Sequence, residues 1–158
     1  SISSHVQTHY WSQRNLEVLQ ALLKSWDAEN LKHWNYISMR ISQELRQRAK
    51  SYASGIVRLF RELPPRDIAI QTLGLQLLRS GTSVAAHTRE ASRARSDAEF
   101  CSKIDGLLQE ADESELWLEL LMEDCEVNSE RARFLHKETD ELISIFTTIV
   151  SKVRKNQQ

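Results

Sequence analysis

The stretch RSGTSVAAHTREASRARS, residues 79–96, decides the fold because it contains the end of one helix and the approach to the next. Residues 79–91 continue the apolar spacing of the preceding segment, and Val84, Ala85 and Ala91 lie on its stripe. Gly81 interrupts this stripe, so we expect a local bend or a close approach of another helix there. Residues 92–96 are small and polar, and we expect them to form the exit turn.

The residues that follow this turn, Ser96-Asp97-Ala98-Glu99, have the spacing of a capping box. In that motif the Ser96 side chain accepts the amide of Glu99, and the Glu99 carboxylate accepts the amide of Ser96. The sequence therefore predicts that a helix begins at Ser96. Its apolar stripe repeats every three or four residues as far as Cys125.

Apolar residues at helical spacing mark three further long segments. One covers residues 41–63 and stops at Pro64-Pro65, because a residue before proline avoids the helical region. The next runs from near Arg66 to about residue 92, and the last begins at residue 128 or 129 and reaches residue 153. Short links between consecutive helices make neighbours antiparallel, so residues 39–158 are predicted to form an all-α, up-down four-helix bundle.

The N-terminal quarter has a pattern of its own. Residues 12–26 and 28–38 show shorter helical stripes, and three of the four tryptophans lie there. Residues 1–38 are predicted to be an N-terminal helical extension, which is either native or derived from upstream of a natural start at Met39. The tryptophan-rich surface of such an extension requires a partner, which is either the bundle or another subunit.

Charge divides the bundle into two halves although the whole chain has a net charge of −1. Residues 39–104 contain 12 lysines and arginines against 6 acidic residues, whereas residues 105–158 contain 6 against 13. Such a chain either binds a polyanion on its basic half or pairs the two halves internally.

No motif indicates an enzyme. The chain has no GxSxG, no phosphate-binding glycine loop, no HExxH and no Glu-x-x-His. The sequence therefore predicts no catalytic residue, no metal and no cofactor. Two cysteines, Cys101 and Cys125, have no CxxC spacing and are predicted to be reduced in a cytoplasmic protein. No apolar run has the length of a membrane span, so no membrane association is predicted.

The arginines around the central turn are the candidate binding residues for nucleic acid. Arg89 and Arg93 are four residues apart and share a helix face, with Arg79 and Arg95 flanking them. A cluster of this kind suffices for contact with phosphates, although no aromatic residue for base stacking lies among residues 79–96. The alternative is internal pairing with Glu90, Glu99 and the acidic third helix.

The order of several short motifs resembles the four-helix-bundle family encoded in intervening sequences of bacterial 23S rRNA genes. The resemblance covers about residues 41–155. The matching pieces are Leu63-Pro64, Gln76-Leu77-Leu78-Arg79-Ser80, Thr82-Ser83-Val84-Ala85-Ala86, Arg89-Glu90-Ala91, Arg95-Ser96, Glu99-Phe100, Lys103, Glu110-Ala111-Asp112-Glu113-Ser114 and Trp117-Leu118.

The resemblance extends to the accessory variability determinant of diversity-generating retroelements, a pentameric protein that binds its reverse transcriptase and RNA. It implies a non-enzymatic adaptor that forms a pentameric homo-oligomer and presents Arg79, Arg89, Arg93 and Arg95 to RNA or to a reverse transcriptase. Two features depart from the pattern: His87 replaces a common asparagine, and this chain is less basic than the retroelement proteins. A purely structural or protein-interaction bundle is the alternative.

Overall fold

The computed structural model describes residues 41–156, which contain four α-helices and no strand. Helix α1 spans Gln43–Glu62, α2 spans Ile68–Ala91, α3 spans Asp97–Glu123 and α4 spans Glu130–Lys155. Each helix packs on the next, and α4 returns to α1. The predicted all-α four-helix bundle is confirmed, and its four predicted helices are present with ends that differ by a few residues.

Side chains at the N-termini explain where the helices begin. Ser42, Asp67, Ser96 and Ser129 each accept the amide three residues ahead, at 3.0–3.1 Å. The predicted Ser96 cap is therefore confirmed, and Ser129 rather than Asn128 caps α4. One detail of the predicted capping box is wrong, because the Glu99 carboxylate accepts the amide of Arg95 at 2.9 Å and not that of Ser96.

Close approach, and not a bend, explains Gly81. Helix α2 continues through this residue without interruption. A Cβ atom at Gly81 would lie 2.8 Å from Cγ1 of the buried Ile56 on α1. The Thr82 hydroxyl group donates to the Leu78 carbonyl at 2.7 Å, and the Ser83 hydroxyl group donates to the Arg79 carbonyl at 2.9 Å. The absence of a side chain at Gly81 thus sets the distance between α1 and α2.

A layer of buried hydroxyl groups crosses the apolar core, and each helix contributes one residue. Tyr52 of α1 and Thr139 of α4 share a hydrogen bond of 2.8 Å, and Ser80 of α2 and Ser114 of α3 share another of 2.8 Å. Burial raises the pKa of Tyr52. The layer therefore joins α1 to α4 and α2 to α3 inside a core of mostly apolar side chains.

Ion pairs cross the seam where α1 meets α4. This seam has the thinnest packing of the four main helix pairs. Arg48 of α1 binds Glu138 at 2.6 Å and Glu141 at 2.5 Å, and Arg131 of α4 binds Glu62 at 3.1 Å. Charged side chains therefore cover the surface of the α1–α4 seam, and the exposed Phe134 lies between the Arg48 and Arg131 ion pairs.

Some expectations fall on residues 1–40 or receive only a partial answer. The helical extension over residues 1–38 lies outside the described residues and stays a prediction. Among residues 41–156, no helix has the length and hydropathy needed to cross a membrane. Helix α3 ends at Glu123, so Cys125 lies just beyond it and not within it; Cys101 and Cys125 are not joined by a disulfide.

We expect Gly81→Ala to lower the free energy of unfolding by about 1–3 kcal/mol, because the β-branched Ile56 cannot rotate away from the new methyl group. Gly106→Ala is the matched control, since its Cβ would meet His87 at an ordinary 3.4 Å. Its gain in helix propensity should raise stability by up to about 1 kcal/mol. Urea denaturation measures both. Equal effects of the two substitutions would contradict the close approach.

We expect Tyr52→Phe to lower the free energy of unfolding by about 1 kcal/mol, because it removes the buried hydrogen bond to Thr139, whose hydroxyl group keeps only its bond to the Leu135 carbonyl. A double-mutant cycle with Thr139→Val should give a coupling energy of at least about 0.5 kcal/mol. Additive effects in urea denaturation would show that the two hydroxyl groups do not interact.

Candidate nucleic-acid interface

Four basic side chains meet where the start of α1 lies beside the end of α2. Arg46 and Lys50 come from the first two turns of α1, and Arg89 and Arg93 from the last turn of α2 and the residues after it. Together with Gln43, Gln47 and Ser92 they line a shallow cleft of about 300 Å³, which we call the basic cleft. All four basic residues are exposed.

Local backbone structure fixes the direction of these side chains. Ser42 caps α1, which places Arg46 one turn and Lys50 two turns into the helix. At the end of α2, the Arg93 amide donates to the Glu90 carbonyl at 3.0 Å and the Ala94 amide to the Ala91 carbonyl at 3.2 Å. Ala91 and Ala94 are buried, so the backbone is anchored on both sides of Arg93 and its side chain is held at the surface.

The basic cleft has an excess of positive charge. Within the described part of the chain, none of Arg46, Lys50, Arg89 and Arg93 forms an ion pair, and no acidic residue lines the cleft. Glu90 turns away and binds Lys103 of α3 at 2.7 Å, and this hydrogen bond holds the pKa of Glu90 below its usual value. Four cations without counter-charges on one surface attract anions.

Arg79 and Arg95, the other two predicted residues, do not line the basic cleft. Arg79 binds Glu110 at 3.1 Å and also binds Glu113, both on α3. Arg95 is 90% exposed and lies 3.5 Å from the Glu99 carboxylate. For these two arginines the structure has the internal pairing that was the alternative interpretation.

The structure brings Arg46 and Lys50 to Arg89 and Arg93, a combination that the list of candidate residues did not include. Their spacing of four residues on α1 is visible in the sequence. The antiparallel topology supplies the missing step, because it places the start of α1 beside the end of α2.

The chemistry of the cleft suits phosphate groups and not bases. Guanidinium and ammonium groups bind phosphate oxygens through charge-assisted hydrogen bonds, and Gln43 and Gln47 supply additional polar groups. Among residues 41–156, no aromatic side chain lines the cleft, so this part of the chain offers no platform for stacking on bases. The cleft can therefore bind a nucleic-acid backbone with little dependence on sequence.

The sequence matches the family described as 23S rRNA-intervening sequence protein over residues 42–148. The chain belongs to this family. A protein of unknown function from the S23 ribosomal protein family of Bacteroides thetaiotaomicron VPI-5482, with a crystal structure at 1.70 Å resolution, is similar to it. The two are 32% identical and superpose with a TM-score of 0.61 over 67% of this chain and 94% of that chain. No protein with a curated description matches.

This result confirms the resemblance to the 23S rRNA-intervening sequence family that the short motifs indicated, and its extension to retroelement accessory proteins stays a prediction. The matched region begins at the Ser42 cap and includes all of α1, α2 and α3 and most of α4. The basic cleft lies entirely inside the part of the chain that matches the 23S rRNA-intervening sequence protein family.

We expect charge reversal to lower the stability more at Arg79, which forms ion pairs, than at Arg89 and Arg93, which form none with described residues. Arg79→Glu places a third carboxylate beside Glu110 and Glu113 and should lower the free energy of unfolding by about 1 kcal/mol. Arg89→Glu with Arg93→Glu breaks no ion pair and relieves repulsion in the basic cleft, so it should change stability by no more than about 0.5 kcal/mol. Thermal denaturation measures both. A large loss in the double variant would indicate a structural role for these arginines.

Proposed function

We propose that this protein is a non-enzymatic RNA-binding adaptor of the 23S rRNA-intervening sequence protein family, acting in the cytoplasm. Its basic cleft binds the phosphate backbone of RNA, and its bundles assemble into a homo-oligomer, a pentameric ring, that holds several clefts on one particle. A reverse transcriptase is the protein partner suggested by the resemblance to retroelement accessory proteins. The observation that carries the proposal is that Arg46, Lys50, Arg89 and Arg93 share one cleft and form no ion pair with any described residue.

The charge of the cleft supports RNA over a small anion. Arg46 and Lys50 on one helix and Arg89 and Arg93 on the next form two rows of cations along the groove between α1 and α2. A groove of this kind can follow several successive phosphates of one strand. For single strands, the logarithm of affinity falls by about 0.7 per phosphate contact for each tenfold rise in salt.

The polar groups of the cleft support an adaptor over an enzyme. In the described region its lining consists of glutamine, arginine, lysine and serine, without histidine, cysteine or carboxylate. The hydroxyl group of Ser92 donates to the Arg89 carbonyl at 2.8 Å. The described lining therefore holds no general base positioned to activate a nucleophile.

Exposed apolar side chains support the assembly. Ile68 is 84% exposed and Leu75 is 57% exposed, and their spacing of seven residues places them on one face of α2. Phe134 on α4 is 63% exposed. Exposed apolar residues that share a helix face indicate contact with another protein surface.

A purely structural bundle is the second candidate function, and the ion pairs of Arg79 are the observation in its favour. The α2–α3 pair formed by Arg79, Glu110 and Glu113 and the α1–α4 pair formed by Arg48 show that this fold uses arginine between helices. In that case Arg89 and Arg93 bind acidic side chains of another subunit.

Fluorescence anisotropy with a labelled single-stranded RNA tests the proposal. If four phosphates are contacted, affinity should fall about 50-fold between about 50 and 200 mM salt. Arg89→Glu with Arg93→Glu should abolish this binding. Arg58→Glu with Arg61→Glu is the matched control, because it reverses two exposed charges at the far half of α1 and should retain most of the affinity.

Light scattering on the same variants separates the two functions. Unchanged oligomer mass with lost RNA binding supports the adaptor. Dissociation of the oligomer in the Arg89/Arg93 variant, or RNA binding that is absent or insensitive to salt in the wild type, rejects it in favour of the structural bundle.

A further inference from the structure

Three side chains with metal-binding atoms meet on the α3–α4 face, away from the basic cleft. Glu115 and Glu119 lie one turn apart on α3, and His136 lies in the second turn of α4. One donor atom from each lies within 4.8 Å of the other two. All three side chains are half-buried, so packing limits their movement while water and ions retain access.

The separation of Glu119 and His136 fits two ligands of one ion better than it fits a hydrogen bond. Glu119 Oε1 and His136 Nε2 are 3.4 Å apart, beyond the usual 2.7–3.2 Å of an N–H···O hydrogen bond. Two ligands bound at about 2.1 Å to a tetrahedral ion are about 3.4 Å apart. The donor atom of Glu115 lies within 4.8 Å of both, so its carboxylate is the ligand that must move to bind the same ion.

The surroundings of this cluster lack a permanent positive charge. In residues 41–156, no lysine or arginine forms an ion pair with Glu115, Glu119 or the nearby Asp112 and Asp140. Burial raises the pKa of Glu115, and the charges of Glu119, Asp140 and Asp112 raise it further, while His136 opposes them. A bound cation would offset this concentration of negative charge.

Two other pairs of neighbouring carboxylates in the bundle each share one arginine. Glu138 and Glu141 share Arg48, and Glu110 and Glu113 share Arg79. Glu115 and Glu119 lie one turn apart on α3, and in the described region the ion-pairing partner of Glu119 is His136 and not an arginine. His136, whose imidazole can bind a metal ion, thus lies beside these carboxylates, where the other two carboxylate pairs have an arginine.

We propose that Glu115, Glu119 and His136 bind a divalent transition-metal ion of the Zn²⁺ class, with water at the remaining position. An imidazole nitrogen with two carboxylates suits Zn²⁺ or Co²⁺, whereas Mg²⁺ and Ca²⁺ prefer oxygen ligands alone. The ion would connect α3 to α4 and stabilise their packing. This inference is independent of RNA binding and departs from the expectation, drawn from the sequence, of no metal.

Metal titration of the full chain, calorimetric with Zn²⁺ and spectroscopic with Co²⁺, tests the site. The chain has five histidines, three of them outside the described residues, so other sites can add to the total. The decisive quantity is therefore a difference. Wild-type protein should bind one equivalent more than His136→Gln, or bind it at least about tenfold more tightly.

His87→Gln is the matched control. His87 is also half-buried, and its Nδ1 lies 3.5 Å from Glu90, but Lys103 already supplies a cation to that carboxylate. This variant should bind as many equivalents as the wild type. Equal stoichiometry and affinity in wild type and His136→Gln would overturn the proposal, and so would competition by Mg²⁺ at concentrations similar to those of Zn²⁺.

Glu115→Gln separates lost binding from lost folding. Glutamine keeps the shape of the side chain and removes one of several neighbouring carboxylates with which no described lysine or arginine forms an ion pair. The variant in EDTA at neutral pH should therefore melt at the same temperature as the wild type or higher. Added Zn²⁺ should raise the Tm of wild type by several degrees and leave that of Glu115→Gln nearly unchanged. Equal Tm increases in both proteins would reject the role of Glu115.

Discussion

The hydroxyl layer formed by Tyr52, Ser80, Ser114 and Thr139 is the constraint on which the rest of the bundle depends. Apolar side chains tolerate sliding of one helix along another, but a buried hydroxyl group has only one position where its partner lies within reach. The layer thus fixes the register of α1 against α4 and of α2 against α3. The packing of consecutive helices then places the start of α1 beside the end of α2, and Glu115 beside His136.

At both candidate sites, several like charges lie together without an oppositely charged lysine, arginine or carboxylate partner among the described residues. Arginines at the helix seams, such as Arg48 and Arg79, are joined to pairs of carboxylates on the facing helix. Arg89 and Arg93 have no such partner in the described chain, and the carboxylates of Glu115 and Glu119 have only His136. Surplus positive charge therefore lies between α1 and α2, and surplus negative charge lies between α3 and α4.

Local signals in the sequence were sufficient for the fold. Apolar spacing, Pro64-Pro65 and the Ser96 cap depend on residues close in the chain, and these located every helix of the described region. Only part of each candidate site could be predicted from the sequence. Spacing placed Arg89 and Arg93 on one face, but the pairing of Arg79 with Glu110 depends on how α2 and α3 rotate against each other. Likewise, a search for Glu-x-x-His within one helix misses ligands supplied by two.

The thin α1–α4 seam has a consequence for how the chain folds. The other main helix contacts join neighbours in sequence, so α1 with α2, α2 with α3 and α3 with α4 can each form as a local hairpin. Contacts of this kind close short loops and make folding fast. The α1–α4 seam is the main helix contact that brings the first and last helices together, and ion pairs cross its surface. Its formation therefore belongs late in folding, and it is the first place where the folded chain should open.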